Sequence, residues 1–236
     1  MSQPILGISG VMGAGKDTLA ERICHVFPGY SRRKFGTILR EAVTTLTGFA
    51  FTGDDAADKA HDLSAVAMTC TRWVVRLSDT IHGVVGKSEG DVSVRMFRVL
   101  FPGEHRSFET VALRMTVGRL LQVLGTECFR ELVGPDVWVD ALFRRWEAEG
   151  RPPIVVADVR FPNEVAALVR RGGVVIRVER VAARRDDGRV VAHASEHALD
   201  GVPPDVTIAN DGAVPDLDLG LMAAWPRILA LAAARR

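Results

Sequence analysis

The chain has little of what would place it in several protein classes at once. Its three cysteines, Cys24, Cys70 and Cys128, are odd in number and far apart, so they form no disulfide scaffold or metal-ligand cluster. We expect reduced, buried thiols in a cytoplasmic protein. The formal net charge of only +1 gives no general attraction to nucleic acid or membranes. No uninterrupted apolar run approaches the ~20 residues of a membrane span, and the first residues do not resemble a signal peptide. We therefore expect neither nucleic acid nor a membrane as a partner.

Lysine is scarce as well, which makes the position of one lysine informative. The chain has four lysines against 26 arginines. One of them, Lys16, follows the glycine-rich segment 10–15, and this segment follows the apolar run 5–8. Backbone N–H groups of such a loop turn inward around a phosphate, and the N-terminus of the next helix adds its dipole. Leu19, Ile23 and Phe27 then recur at helical spacing. This order of strand, loop, lysine and helix is typical of a phosphate-binding P-loop.

The residues after the lysine depart from the commonest form of this loop. Asp17 follows Lys16, so the hydroxyl that usually comes next is displaced to Thr18. This order argues against switch GTPases and most ATPase motors, whose hydroxyl beside the lysine holds Mg²⁺. It fits small-molecule kinases of the nucleoside monophosphate kinase type, with Lys16 reaching the β- and γ-phosphates of ATP. The residues expected to bind ATP here are Gly13, Ala14, Gly15, Lys16, Asp17 and Thr18.

The rest of the chain predicts an α/β fold of three layers. Most of the strand candidates are short apolar runs, as expected for parallel strands covered on both faces; they lie at 5–9, 31–35, 154–158, 174–178 and 206–209. No convincing strand lies between residues 35 and 154. Helices are predicted at 37–47, 61–84, 92–100, 110–132, 136–149, 163–171 and 216–234. We expect a single domain, 1–236, with a five-stranded parallel sheet and a large helical insertion at about 37–150.

Asp158 ends an apolar strand in the manner of a Walker B carboxylate. Ligands of open α/β sheets bind at the carboxyl ends of the strands, where the P-loop also lies. We expect Asp158, together with Thr18, to face a Mg²⁺ ion that bridges the β- and γ-phosphates. The alternative is that Asp158 only caps the next helix.

Several segments together resemble the phage-type deoxynucleoside monophosphate kinases of the P-loop superfamily. They are Gly13-Ala-Gly15-Lys16-Asp17-Thr18, Asp158-Val-Arg160-Phe-Pro-Asn-Glu164, the stretch 117–138, His193-Ala-Ser195-Glu196 and Ile208-Ala-Asn210-Asp211-Gly212. The resemblance spans nearly the whole chain and is weakest over about 50–108. It implies the nucleoside monophosphate kinase fold. It also implies that ATP, with Mg²⁺, phosphorylates a deoxynucleoside monophosphate to the diphosphate.

The resemblance also implies an acceptor site. Arg119 and Gln122 lie three positions apart and share one helix face, where an arginine fork and an amide can hold a base edge or a monophosphate. A solvated helix face is the alternative. Trp138 either stacks on a base or packs in the core. The residues that we expect to bind the acceptor are Lys34, Arg119, Gln122, Thr126, Trp138 and Arg160, and those expected to act in catalysis are Lys16, Asp158 and Arg160.

The polar stretch after the fourth strand is the expected lid, at about 180–197. Its arginines, among them Arg184 and Arg185, would neutralise the phosphates of ATP; a solvated loop is the alternative. His193 and His197 flank Glu196 in an order that does not match a zinc helix, so we expect no zinc there.

Two other functions compete with this interpretation. One is a P-loop kinase of another small phosphorylated acceptor, such as a phosphomevalonate kinase; the segments 158–164 and 119–138 favour a nucleotide acceptor over it. The other is a regulatory or assembly module that hydrolyses ATP slowly, but the sequence shows no arginine-finger, sensor or switch segments. A homodimer stays open.

Overall fold

The computed structural model describes residues 4–87, 90–180 and 198–235. The chain divides into two compact units. The sheet unit contains the residues up to Phe35 and those from Trp146 onward, and the helical unit is Gly36–Arg145. The helical unit lies close to the bounds predicted for the insertion, while the single-domain organisation stays a prediction.

The sheet unit is built on five parallel strands, which confirms the predicted fold class. The strands are β1 (Leu6–Ser9), β2 (Ser31–Arg33), β5 (Ile154–Val156), β6 (Val174–Glu179) and β7 (Val206–Ala209), whereas β3 and β4 belong to the helical unit. Their order is β2-β5-β1-β6-β7, so the strand before the P-loop is central. Leu6 lies opposite Val155 on one side and Val174 on the other.

Helices cover this sheet because its strands are apolar on both faces. They are α1 (Lys16–Val26), α8 (Pro162–Arg170) and α9 (Val214–Ala234), joined by the last residues of α7 (Val137–Ala148). Leu19 and Ile23 of α1 are fully buried in the core that contains β1. A Cβ at Gly7 would lie 2.5 Å from Leu168 Cδ1. The missing side chain at position 7 therefore lets α8 pack closely on the central strand.

By length and composition alone α9 could cross a membrane. Its buried residues Leu217, Leu221 and Ile228 nevertheless belong to the core cluster of the sheet unit. Trp225 stacks on Phe27, with ring centroids 3.6 Å apart. The helix is therefore a packing element of this unit.

An ion pair holds the end of α9 at the start of β7. Arg235 donates to Asp205 Oδ1 at 2.5 Å and to Oδ2 at 2.8 Å, and also to the Gly173 carbonyl at 2.5 Å. Burial raises the pKa of Asp205, but hydrogen bonds from Arg235 and from the Val175 N–H, with the charge of Arg235, outweigh it. The net pKa is lowered, so the carboxylate stays charged.

The helical unit begins inside α2 (Phe35–Thr47) and ends inside α7. Between them lie α3 (Asp55–Ala60), β3 (Ala67–Thr69), α4 (Cys70–Val85), α5 (Gly90–Leu100), β4 (Thr110–Ala112), α6 (Val117–Gln122) and a π-helical segment, Val123–Arg130. Fully buried side chains of Trp73, Leu77, Met96 and Phe129 are part of its interior.

The prediction of no strand between residues 35 and 154 is wrong. β3 and β4 form an antiparallel ribbon, with Met68 opposite Val111. The helices predicted at 61–84 and 110–132 consequently start too early. Thr69 caps α4 by accepting from the Arg72 N–H, and Thr116 caps α6 by accepting from the Arg119 N–H. Strands of three residues are too short to show alternation, so the helical pattern of the following residues dominated the prediction.

The three cysteines are free thiols, as predicted. Cys70 and Cys128 are buried and Cys24 is half-buried. Burial raises the pKa of Cys128 to about 12, with Glu127 and Glu131 adding to the shift. A thiol with that pKa stays protonated at neutral pH and is a packing group.

Candidate phosphate-binding loop and acceptor residues

The segment between β1 and α1 has the backbone shape of a phosphate-binding loop. Gly10, Gly13 and Gly15 have φ values of +146°, +77° and +98°, which side chains other than hydrogen rarely tolerate. The Ala14 N–H donates to the Val11 carbonyl at 3.2 Å and closes the turn. Helix α1 begins at Lys16, so its unpaired first N–H groups continue the loop.

Lys16 reaches back over this loop. Its Nζ donates to the carbonyls of Gly10 at 2.7 Å and Val11 at 2.8 Å. The ammonium group is thus held at the mouth of the loop by oxygens that phosphate oxygens can replace as acceptors. This donor set, together with the glycine turn, fits a nucleotide phosphate chain.

The loop packs directly against the ends of β6 and β7. A Cβ at Gly10 would lie 2.5 Å from the Val178 carbonyl oxygen. The side-chain amide of Asn210, just after β7, donates to the Ala14 carbonyl at 2.8 Å. A Cβ at Gly15 would lie 2.2 Å from that amide nitrogen. The sequence analysis placed Asn210 in a family-like segment but assigned it no role, because nothing local to residue 210 indicates a partner at residue 14.

Asp17, which separates Lys16 from Thr18, is paired with cations that follow from β2. Lys34 Nζ lies 2.5 Å from Asp17 Oδ1, and Arg32 lies 3.4 Å from the same oxygen. Arg32 also pairs with Glu21 at 2.8 Å. Lys34, predicted to bind the acceptor, is therefore held beside the first turn of α1, and Thr18 is half-buried there.

Asp158 follows β5 and accepts a hydrogen bond from the Phe35 N–H, 2.9 Å from Oδ1. It therefore contacts the first residue of α2, rather than the next helix along the chain. The adjoining turn is fixed by Glu164, which is 2% exposed. Glu164 Oε2 accepts from the N–H groups of Arg160 at 2.7 Å and Phe161 at 3.1 Å. These bonds set the turn from which the exposed Arg160 side chain extends.

Within the described residues, no group of three or more histidine, cysteine, aspartate or glutamate side chains could hold a metal ion by itself. A Mg²⁺ ion that keeps several waters and binds phosphates needs only one or two protein ligands. Asp158 at a strand end and Thr18 in α1 fit that requirement.

The helical unit gathers Arg119, Gln122 and Glu127. Arg119 donates to Gln122 Oε1 at 3.0 Å and to Glu127 Oε1 at 3.1 Å. The predicted shared face of Arg119 and Gln122 is thus present, and Glu127 completes it. Glu127 and the exposed Thr126 belong to the π-helical segment, a rare winding that is frequent at functional sites.

Trp138 is 4% exposed. Its indole N–H donates to the Gly125 carbonyl at 3.1 Å, and its ring lies 4.8 Å from that of Phe129. Packing, the second alternative of the sequence analysis, accounts for all of these contacts. They also place Trp138 as the support beneath the π-helical segment.

The predicted lid lies largely outside the described residues. Arg184, Arg185, Arg189, His193, Glu196 and His197 are among the residues that the structure does not describe.

A family model and two solved structures are among the known proteins similar to this chain. The model described as deoxynucleotide monophosphate kinase matches residues 58–219. The crystal structure of an unliganded sugar kinase from Janibacter sp. HTCC2649 has 13% identity and a TM-score of 0.38, over 100% of this chain and 98% of that one. TT1252 from Thermus thermophilus has 17% identity and a TM-score of 0.43, over 97% and 99%. No curated protein gives a significant match.

The family match includes the Arg119 segment, Asp158 and Asn210, and it covers more than half of the chain. The protein therefore belongs to the deoxynucleotide monophosphate kinase family and is a kinase of that class.

Proposed function

We propose that the protein transfers the γ-phosphoryl group of ATP to a deoxynucleoside monophosphate, giving ADP and the deoxynucleoside diphosphate, with Mg²⁺ as cofactor. The observation that carries this proposal is the glycine turn 10–15 with Lys16 folded over its mouth, in a chain of this family. We further place it with the phage-type enzymes, in the cytoplasm, acting on small molecules rather than on nucleic acid or membranes.

In this proposal the sheet unit binds ATP. N–H groups of the loop and of the first turn of α1 donate to phosphate oxygens, and Lys16 exchanges its two loop carbonyls for the β- and γ-phosphates. Because the donors are already oriented, little reorganisation opposes the development of charge in the transition state. Gly13, Ala14, Gly15, Asp17 and Thr18 complete this site.

Asp158 and Thr18 would hold Mg²⁺ through oxygen atoms, directly or through water. When bound, Mg²⁺ supplies charge neutralisation of the phosphates and helps to align them. The Phe35 N–H bonded to Asp158 Oδ1 holds the carboxylate in one orientation. An oriented carboxylate loses less entropy when it binds a hydrated cation.

The helical unit would bind the acceptor through Arg119 and Gln122, with Thr126 on the adjoining turn. Glu127 and Gln122 hold the guanidinium as a planar fork before any ligand binds. Arg160 and Lys34 of the sheet unit would add positive charge for the acceptor phosphate. Trp138 would serve as packing support.

The test is a coupled assay of ADP formation with purified protein and Mg²⁺. The acceptors are the four common deoxynucleoside monophosphates, their ribose counterparts, phosphomevalonate and water alone. We expect turnover with at least one deoxynucleoside monophosphate and slow hydrolysis without acceptor. Turnover with phosphomevalonate alone would support the competing small-molecule kinase, and acceptor-independent hydrolysis would support a regulatory ATPase.

A further inference from the structure

The contact between Asn210 and the loop stands out among the interactions that the proposed mechanism does not use. The two residues that it joins are 196 positions apart in the chain. We infer that Asn210 is a positioning residue for nucleotide binding: its amide fixes the peptide between Ala14 and Gly15, so that the Gly15 N–H faces the phosphates. This inference rests on the proposed function, because it assumes that the loop binds phosphate.

The geometry of one peptide unit carries the argument. The Ala14 carbonyl and the Gly15 N–H belong to the same planar, trans peptide, so they point in opposite directions. Asn210 Nδ2 donates to this carbonyl at 2.8 Å from the side of β7. The Gly15 N–H is thereby turned away from Asn210. A carbonyl oxygen accepts only from the NH₂ end of the amide, so the orientation of the Asn210 side chain is also determined.

The loop itself does not fix this peptide. The Ala14 N–H is used in the turn to Val11, and Lys16 binds the carbonyls of Gly10 and Val11. Gly15, with a φ of +98°, has the freedom to rotate that any glycine has. A fixed partner outside the loop therefore removes motion that would otherwise be lost when the phosphate binds.

Asn210 is mounted rigidly enough to provide that partner. Its N–H donates to the Glu179 carbonyl at 2.8 Å, which continues the pairing of β6 with β7 by one residue. The turn that follows is closed by Asp216, which accepts from the Ala213 N–H at 2.9 Å. The amide also fills the space beside Gly15, where a Cβ would lie 2.2 Å from Nδ2.

The first test measures nucleotide affinity apart from catalysis. The dissociation constant of β,γ-imido-ATP with Mg²⁺ is measured by calorimetry for the wild type, Asn210→Ala and Asn210→Asp. We expect about tenfold weaker binding for Asn210→Ala, since one oriented hydrogen bond is lost. Asn210→Asp should bind more weakly still, because a carboxylate has no N–H to donate and repels the carbonyl. The KM for the deoxynucleoside monophosphate should stay within about twofold while the KM for ATP rises.

Arg235→Gln is the matched control, because it removes hydrogen bonds from the same unit without touching the loop. It should lower the melting temperature and leave the affinity for the ATP analogue unchanged. A double-mutant cycle adds a second readout. Gly15→Ala should weaken binding strongly in the wild type but less in the Asn210→Ala background, where the contact at 2.2 Å is gone.

The outcomes separate the two proposals. If the wild type binds the analogue and Asn210→Ala binds it within twofold, the positioning role is wrong and the proposed function stands. If the Asn210 variants lose affinity as expected but no deoxynucleoside monophosphate is phosphorylated, the positioning role stands and the proposed function is wrong. A wild type that binds no nucleotide overturns both.

Discussion

Replacing Lys16 by alanine should almost abolish turnover while the fold survives. The ammonium group now makes two hydrogen bonds, at 2.7 and 2.8 Å, to the carbonyls of Gly10 and Val11. A hydrogen bond from a charged donor contributes about 1.5–3 kcal/mol. Two such bonds redirected to phosphoryl oxygens therefore account for a loss of more than about 2.7 kcal/mol in the transition state, which is more than about 100-fold in kcat.

The cost in stability should be much smaller. The neighbouring Met12 and Gly13 are exposed, so water can reach the carbonyls that the lysine releases. We expect a loss of about 1 kcal/mol or less, which lowers the melting temperature by roughly 2–4 °C in a protein of this size.

The assay couples ADP formation to a dehydrogenase reaction, with ATP and the best acceptor both varied. Lys59→Ala is the control, because Lys59 is an exposed lysine of the helical unit paired with Asp55 at 2.6 Å. It should leave kcat unchanged. A Lys16→Ala protein that folds and turns over within tenfold of the wild type would refute the assignment of the loop as a phosphate site.

Three other substitutions test the remaining parts of the molecule. Asp158→Asn retains an oxygen for the Phe35 N–H but loses the charge, so Mg²⁺-dependent turnover should fall while the melting temperature hardly changes; an unfolded variant with normal activity per folded molecule would leave only the capping role. Arg119→Lys keeps the charge but loses the planar fork, so the KM for the deoxynucleoside monophosphate should rise at least about tenfold, or roughly 1.4 kcal/mol, with the KM for ATP little changed; equal effects on both substrates would remove Arg119 from the acceptor site. Asp205→Asn should cost about 1–3 kcal/mol of unfolding free energy at pH 7. Because the pKa of Asp205 is lowered in the folded protein, this difference from the wild type should be fully present above the usual aspartate pKa of about 3.9 and shrink as the pH falls below it; a difference that persists at low pH in denaturant titrations would contradict the ion-pair explanation.

The parts of the fold that the sequence predicted are those with strong local causes. Gly10, Gly13 and Gly15 each occupy a backbone conformation that favours glycine, so the loop is written in the sequence itself. The parallel strands were recognisable as apolar runs because helices cover both of their faces. Arg119 and Gln122 were paired correctly because three positions along an α-helix bring side chains together.

The parts that the sequence did not predict depend on distant partners or on unusual winding. Asp158 meets the Phe35 N–H and Asn210 meets the Ala14 carbonyl only after the sheet has assembled. Glu127 lies eight positions from Arg119, which on a regular α-helix would place it about 80° around the axis. The π-helical winding of Val123–Arg130 brings it to the arginine instead. No pattern of apolar residues signals such a change in winding.

The central place of β1 in the sheet has a consequence for the order of folding. Leu6 leaves the ribosome among the first residues, yet its neighbours Val155 and Val174 are made only after the whole helical unit. At typical rates of synthesis this delay is on the order of 10 s. The helical unit is one continuous stretch of chain and can form its contacts meanwhile, whereas closing the sheet requires the ends of a long loop to meet. Nascent chains that end before β5 should therefore protect the helical unit from proteolysis while the N-terminal strand remains open to cleavage.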